Sequence, residues 1–144
     1  MQKYILIADD DDDDKMLFKE ALSEQTDLLI EDFDSGAGLY KKLVEMDTLP
    51  DLAFLDLNMP EMGGKDCLRK IRSNIKLQSL PIIIYSTSST ERDIDDTYRM
   101  GANLYVVKPN TFSELKRTLS KVTAMNWDNH QPNKEKNKFV FRAL

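Results

Sequence analysis

Acids, a hydroxyl and a lysine stand where short apolar runs of this chain end. Tyr4–Ala8 leads directly into Asp9, Asp10 and Asp11, Leu52–Leu55 into Asp56, Ile82–Tyr85 into Ser86, and Leu104–Val107 into Lys108. If the fold brings Asp9, Asp10 and Asp56 together, like charges raise one another's pKa, and the carboxylates ionise together only when a cation joins them. Mg²⁺ suits such a place best, because it is hard, takes oxygen ligands, and is held by one or two carboxylates plus waters and a substrate phosphate. The backbone carbonyl of Asn58, just past the strand end, is a further candidate ligand. Phosphoryl transfer asks a protein mainly for positioning and charge stabilisation, so a carboxylate nucleophile, Mg²⁺, a lysine and a hydroxyl form a sufficient set. In this reading Asp56 attacks phosphorus and Asp9 and Asp10 hold the metal. Lys108 neutralises phosphoryl oxygens, Ser86 donates a hydrogen bond to one of them, and an aspartyl phosphate results.

The elements that must position these groups follow from the hydropathy pattern. Five runs, Tyr4–Ala8, Leu28–Phe33, Leu52–Leu55, Ile82–Tyr85 and Leu104–Val107, are almost continuously apolar rather than alternating. Strands covered on both faces look like this, as in parallel sheets. Helical spacing fills the intervals. A first helix is predicted from Asp13 to Gln25 with Met16, Leu17, Ala21 and Leu22 inward, a second from Gly36 to Met46, and a third from Gly64 to Ile75 with Cys67, Leu68, Ile71 and Ile75 inward. A fourth, from Thr90 to Met100, is mostly polar and should pack least tightly. A fifth begins near Thr111 and Ser113, whose hydroxyls offer a cap, and carries Leu115, Leu119 and Val122 inward. Five βα units with right-handed crossovers make an α/β fold, a doubly wound five-stranded parallel sheet in the flavodoxin-like order 2-1-3-4-5 with helices on both faces. Its switch point, between the first and third strands, puts Asp9, Asp10 and Asp56 side by side.

The segments ILIADDD, PDLAFLDLNMPEMGG, LPIIIYSTSS and GANLYVVKP resemble the four signature blocks of the response-regulator receiver family, over Lys3 to about Met125. Position by position, the resemblance puts the family's acidic pair on Asp9 and Asp10, its phosphoacceptor on Asp56, its switch hydroxyl on Ser86, its lysine on Lys108 and its switch aromatic on Tyr105. It implies Mg²⁺ as cofactor, a histidine kinase or phosphotransfer protein as donor, slow self-catalysed loss of the phosphoryl group, and a cis Lys108–Pro109 peptide. Output is expected through the fourth helix, fifth strand and fifth helix, which Ser86 and Tyr105 flank and of which the fourth helix has the weakest apolar stripe, to a protein target that the sequence does not name. Three departures stand out. Ser86 replaces the commoner threonine, Gly63-Gly64 lacks an acid before the glycine, and acids continue through Asp14. Asp11 to Asp14 read as a solvated helix start, where carboxylates cap free N–H groups.

Other classes fit less well. The chain of 144 residues carries a net charge of −5, which argues against binding a phosphate backbone. No apolar run approaches the ~20 residues of a membrane span, and no secretory signal opens the chain, so a cytoplasmic setting is expected. The single cysteine, Cys67, reads as a core residue, and His130 as a bystander in a polar stretch. The acidic run lacks the glycine and glutamate of an EF-hand loop. A Mg²⁺-dependent aspartyl-nucleophile phosphatase would need an acid at position 58, where Asn58 stands, to protonate a leaving alcohol. A docking module that works without phosphorylation is the other alternative. The domain is expected over residues 1–126, with an extension over 127–144 that contains Trp127, Phe139 and Phe141. That extension could dock back as a short strand or pair with a partner's edge, and its apolar groups raise the hypothesis of a homodimer.

Overall fold

A computed structural model describes residues 2–127 and 136–141. The chain alternates strands and helices: β1 (Lys3–Ala8), α1 (Asp12–Ala21), β2 (Leu28–Phe33), α2 (Gly36–Glu45), β3 (Leu52–Leu55), α3 (Gly64–Ser73), β4 (Ile82–Ser86), α4 (Glu91–Arg99), β5 (Leu104–Val107) and α5 (Phe112–Ala124). A short helix, α6 (Lys136–Phe139), then leads into β6 (Val140–Phe141). All pairings are parallel and the order is β2-β1-β3-β4-β5-β6, which is the expected five-strand order with one strand added outside β5.

The near-continuous hydrophobicity of the strands has the anticipated cause. Side chains of a strand alternate between faces, and both faces of β1, β3, β4 and β5 are covered, whereas the edge strand β2 is only partly covered and leaves Leu29 exposed. Leu6, Ala8, Ala53, Leu55, Ile82, Ile84 and Tyr105 face a core closed by Leu39 and Leu43 of α2, Cys67, Leu68 and Ile71 of α3, and Ile94 of α4. Ile5, Ile7, Leu52, Phe54, Ile83, Tyr85, Leu104 and Val106 face a second core closed by Phe18 and Ala21 of α1 and Leu115, Leu119 and Val122 of α5. Cys67 is fully buried in the first, as expected of a small core residue.

Several helix details differ from the sequence reading. Helix α1 begins at Asp12, because the Asp11 carboxylate accepts from the Asp14 N–H at 3.0 Å and caps it, and it ends at Ala21 rather than Gln25. Its inward face is Phe18, Ala21 and Leu22; Met16 and Leu17 are exposed. The Phe18 ring meets Phe54 and Tyr85 edge-on at 4.9 and 5.6 Å, and this aromatic cluster turns the helix. Helix α3 stops at Ser73, after which a 3₁₀ turn (Ile75–Leu77) is capped by the Asn74 side chain, so Leu77 is buried and Ile75 is 86% exposed. Helix α4 buries only Ile94 and Thr97, in keeping with its sparse apolar stripe. The cap of α5 is Thr111, whose hydroxyl accepts from the Glu114 N–H at 3.2 Å; Thr111 and Glu114 form the Thr-x-x-Glu pattern, and Ser113 lies inside the first turn. The Lys108–Pro109 peptide is trans rather than cis, the form an X–Pro bond prefers intrinsically.

Of the extension, the described residues 136–141 lie against the domain. Val140 and Phe141 pair with Tyr105 and Val106, and the fully buried Phe139 ring lies edge-on to Tyr98 at 5.2 Å and Tyr105 at 6.2 Å. His130 falls outside the described residues.

Candidate functional site

Because every strand is parallel, the carboxyl ends of β1, β3, β4 and β5 open on one rim, and the residue that follows or closes each strand is held by ladder bonds. The Asp9 N–H donates to the Phe33 carbonyl and the Asp56 N–H to the Ala8 carbonyl, both at 3.0 Å; the Lys108 N–H donates to the Ser86 carbonyl at 2.8 Å. Gly64, at the start of α3, closes the rim from the other side. Its N–H donates to the Leu57 carbonyl at 3.0 Å, and a Cβ there would lie 2.2 Å from the Asp56 carbonyl oxygen, so only glycine lets α3 approach the end of β3 this closely.

Asp9 is fully buried. One carboxylate oxygen accepts from the Asp11 N–H at 3.0 Å, the other from the Lys108 ammonium at 2.8 Å. Burial raises its pKa; Lys108 and the Asp11 N–H oppose the shift, and the charge of Asp56 adds to it. Asp56 is nearly buried, accepts from the Leu57 N–H at 2.7 Å through one oxygen, and turns the other toward Lys108 at 3.4 Å. Asp10 is exposed. Oxygens of Asp9, Asp10 and Asp56 lie within 4.8 Å of one another, so three anionic ligand atoms converge from two strand ends. This donor set, all oxygen, with one exposed member to leave room for water, fits a hard divalent cation such as Mg²⁺. Asn58 lies on the exposed loop two residues past Asp56 and lines a cleft of about 330 Å³ with Leu57, Gly63, Lys65, Asp66, Arg69 and Asp93.

Lys108 is the cationic centre of the rim. Its ammonium contacts Asp9 and Asp14 at 2.8 Å and Asp56 at 3.4 Å, and lies 5.1 Å from the centre of the Tyr85 ring. Burial alone would push its pKa down, but the hydrogen bonds to Asp14 and Asp9 and the charges of Asp56 and Asp9 hold it above the ordinary lysine value. Asp14 was missed as a member of this group. The signal was in the spacing: three residues after the cap Asp11, it comes round one helical turn later on the side of the rim.

Ser86 is fully buried, and its hydroxyl oxygen accepts from the Ser88 N–H at 3.2 Å. From Ser88 a polar chain runs outward. Its hydroxyl donates to Asp93 at 2.6 Å, and Asp93 and Asp96 of α4 both pair with Lys65 of α3, at 2.8 and 2.9 Å. Lys65 lowers the pKa of Asp93, with help from the Ser88 hydroxyl. Tyr105 is buried with its hydroxyl donating to the Ser88 carbonyl at 2.8 Å, so the two positions matched to a switch, Ser86 and Tyr105, meet through one residue of the β4–α4 loop. Ser88 and Asp93 are five residues apart but Lys65 comes from another helix, and nothing in the local pattern announces the chain they form.

Residues 5–120 match the response regulator receiver domain family. The chain belongs to that family. It is 31% identical over 123 residues to the chemotaxis protein CheY1 of Helicobacter pylori strain 26695, an alignment that covers 85% of this chain and 98% of that protein. It is also 31% identical to the chemotaxis protein CheY-3 of Vibrio cholerae, covering 82% and 89% of the two chains. Among solved structures, the phosphorylated cyanobacterial phytochrome response regulator RcpA aligns with a TM-score of 0.80 at 29% identity, over 85% of this chain and 91% of that one. The Mn²⁺-bound response regulator Rcp1 aligns at 0.78 and 25%, over 91% and 99%. The receiver is thus of the CheY-like, two-component type, and its fold is the flavodoxin-like α/β fold read from the sequence. Among the described residues no helix is long and apolar enough to cross a membrane.

Proposed function

We propose that this receiver accepts a phosphoryl group on Asp56 from a histidine kinase or phosphotransfer protein, with Mg²⁺, and signals through contacts with a protein target in the cytoplasm. The observation that carries the reading is the meeting of Asp9, Asp10 and Asp56 oxygens within 4.8 Å, with the Lys108 ammonium 3.4 Å from Asp56. The similar RcpA structure is of a phosphorylated protein and the similar Rcp1 structure holds Mn²⁺, which supports both halves of the proposal.

Asp9, Asp10, Asp56 and the Asn58 carbonyl would hold the metal, which when bound neutralises phosphoryl oxygens and aligns them for in-line displacement. The Asp56 oxygen that faces Lys108 forms the new bond to phosphorus. The bond from phosphorus to the donor's histidine nitrogen breaks, its electron pair stays with the ring, and a proton on the other ring nitrogen lets it leave as neutral imidazole. Lys108 supplies charge to a phosphoryl oxygen and Ser86 a hydroxyl donor. The Ser86 hydroxyl accepts from the Ser88 N–H and keeps its own proton to donate, and Ser88 is the residue that Tyr105 and Asp93 hold. Phosphorylation then biases two arrangements of the β4–α4 loop rather than building a new surface. The protein turns over no outside phosphoester, since Asn58 supplies no general acid. Of the apolar groups that raised a homodimer, Phe139 packs on its own Tyr98 and Tyr105 and Trp127 is buried, which leaves that hypothesis to sedimentation of the full chain in both phosphorylation states.

The test is intact mass after incubation with a small phosphodonor. A Mg²⁺-dependent phosphoryl adduct on wild type that is lost in Asp56→Asn is expected; no adduct under any condition would leave a docking module independent of phosphorylation.

A further inference from the structure

Lys108 has three donor hydrogens, and three carboxylates contact it. Two contacts are short, to Asp9 and Asp14 at 2.8 Å, while the contact to the proposed acceptor Asp56 is long at 3.4 Å. Asp9 belongs to the group of oxygens that could hold a metal, whereas Asp14 does not. Asp14 therefore engages the cation of the site without joining the metal ligands. It comes from the first turn of α1 rather than from a strand end, and its side chain is 33% exposed, so its charge stays partly open to solvent beside Lys108.

Building on the assignment of Asp56 as acceptor, we propose that Asp14 is a positioning residue that tethers the Lys108 ammonium on the α1 side and slows attack of Asp56 on an anionic phosphodonor. Two effects act in the same direction. When acetyl phosphate is the donor, Asp56 forms a bond to phosphorus, the phosphorus–oxygen bond to acetate breaks, and acetate leaves with the electron pair. The transferred group brings oxygens that need Lys108, and the tether to Asp14 competes for it. Asp14 also sets a negative charge 2.8 Å from the cation that the dianion must reach. Charges a few ångströms apart near a protein surface interact strongly enough to alter such a rate, and salt weakens the effect.

The experiment follows adduct formation by quenched intact-mass measurement on the full chain, at saturating Mg²⁺. Wild type, Asp14→Asn and Asp14→Glu are compared with acetyl phosphate, a dianion near neutral pH, and phosphoramidate, a monoanion. Asp14→Asn should react about three to ten times faster than wild type with acetyl phosphate, the range expected of one unit charge at partly solvated contact distance. The gain should be smaller with phosphoramidate and should shrink in about 0.5 M salt. Asp14→Glu, which keeps the charge, should stay near the wild-type rate. The proposal is overturned if Asp14→Asn is no faster, if both donors gain equally, or if Asp14→Glu matches Asp14→Asn. A tenfold loss of Mg²⁺ affinity in Asp14→Asn would also overturn it, by making Asp14 a metal ligand. Absence of any adduct on wild type would remove Asp56 as acceptor and the brake with it, whereas an Asp56-dependent adduct with an unchanged Asp14→Asn rate would remove the brake alone.

Discussion

At the scale of single residues, the rim concentrates negative charge before any metal arrives. Asp9, Asp14 and Asp56 surround one lysine, and Asp10 adds a fourth carboxylate outside the burial. A cation that binds only the folded arrangement stabilises it by mass action, about 2.7 kcal/mol at a hundredfold excess over its dissociation constant. Mg²⁺ should therefore raise the urea midpoint of wild type. Asp10→Asn should keep its metal-free stability within about 0.5 kcal/mol, since Asp10 is exposed, and should lose most of the Mg²⁺-dependent rise. A full rise in that variant would remove Asp10 from the ligand set. The strand-end residues of this site were legible because each closes an apolar run, and in a parallel sheet all such ends share a rim. Asp14 was not legible. A run of six aspartates invites the reading of a solvated helix start, and that reading holds for the cap Asp11 but not for the acid one turn later.

At the scale of elements, strands and crossovers were readable while helix faces were less so. Strand pattern depends on period two and on coverage of both faces, which hydropathy records directly. The rotation of α1 depends on which apolar group finds a partner, and Phe18 finds two aromatic rings while Met16 and Leu17 find none. Phe18→Ala should accordingly cost about 3–5 kcal/mol in chemical denaturation, and Met16→Ala no more than about 0.5 kcal/mol; comparable losses would mean that the helix is turned the other way. Between α3 and α4 the contact is ionic. Lys65 has a raised pKa from its bonds to Asp93 and Asp96, so it contributes stability that is present below its unfolded value of 10.5 and lost as pH rises through the folded one. Asp93 has a lowered pKa, so its share is present above 3.8 and lost as pH falls through its folded value. The stability difference between wild type and Lys65→Met should thus be largest between about pH 5 and 9 and should fade toward pH 3, as urea titrations would record. A difference that persists at pH 3, where the partner carboxylates are protonated, would count against the ion pairs as its source.

At the scale of the whole molecule, the extension was the part the sequence left open. Its alternation of Phe139 and Phe141 was visible, but whether a strand joins its own sheet or another's depends on the free edge of β5 and on the gap between Tyr98 and Tyr105, neither of which a linear pattern contains. Phe139→Ala should expose the amides of Val140 and Phe141 to hydrogen exchange while those of β1, β3 and β4 keep their protection. Loss of protection throughout would mean that the extension is integral to the core. The other end of the sheet carries a different feature. Trp127, the only tryptophan, is buried with its indole N–H donating to the Val122 carbonyl at 2.9 Å, and it lines a cleft with Lys3, Pro50 and Asp51 at the strands' amino ends. The six residues of β1 separate that end from the acidic rim by roughly 20 Å, at about 3.3 Å each. The chain's one indole fluorophore is thus placed beyond direct quenching by anything that binds among the aspartates, and a change in its emission on phosphorylation would register a movement carried through the fold.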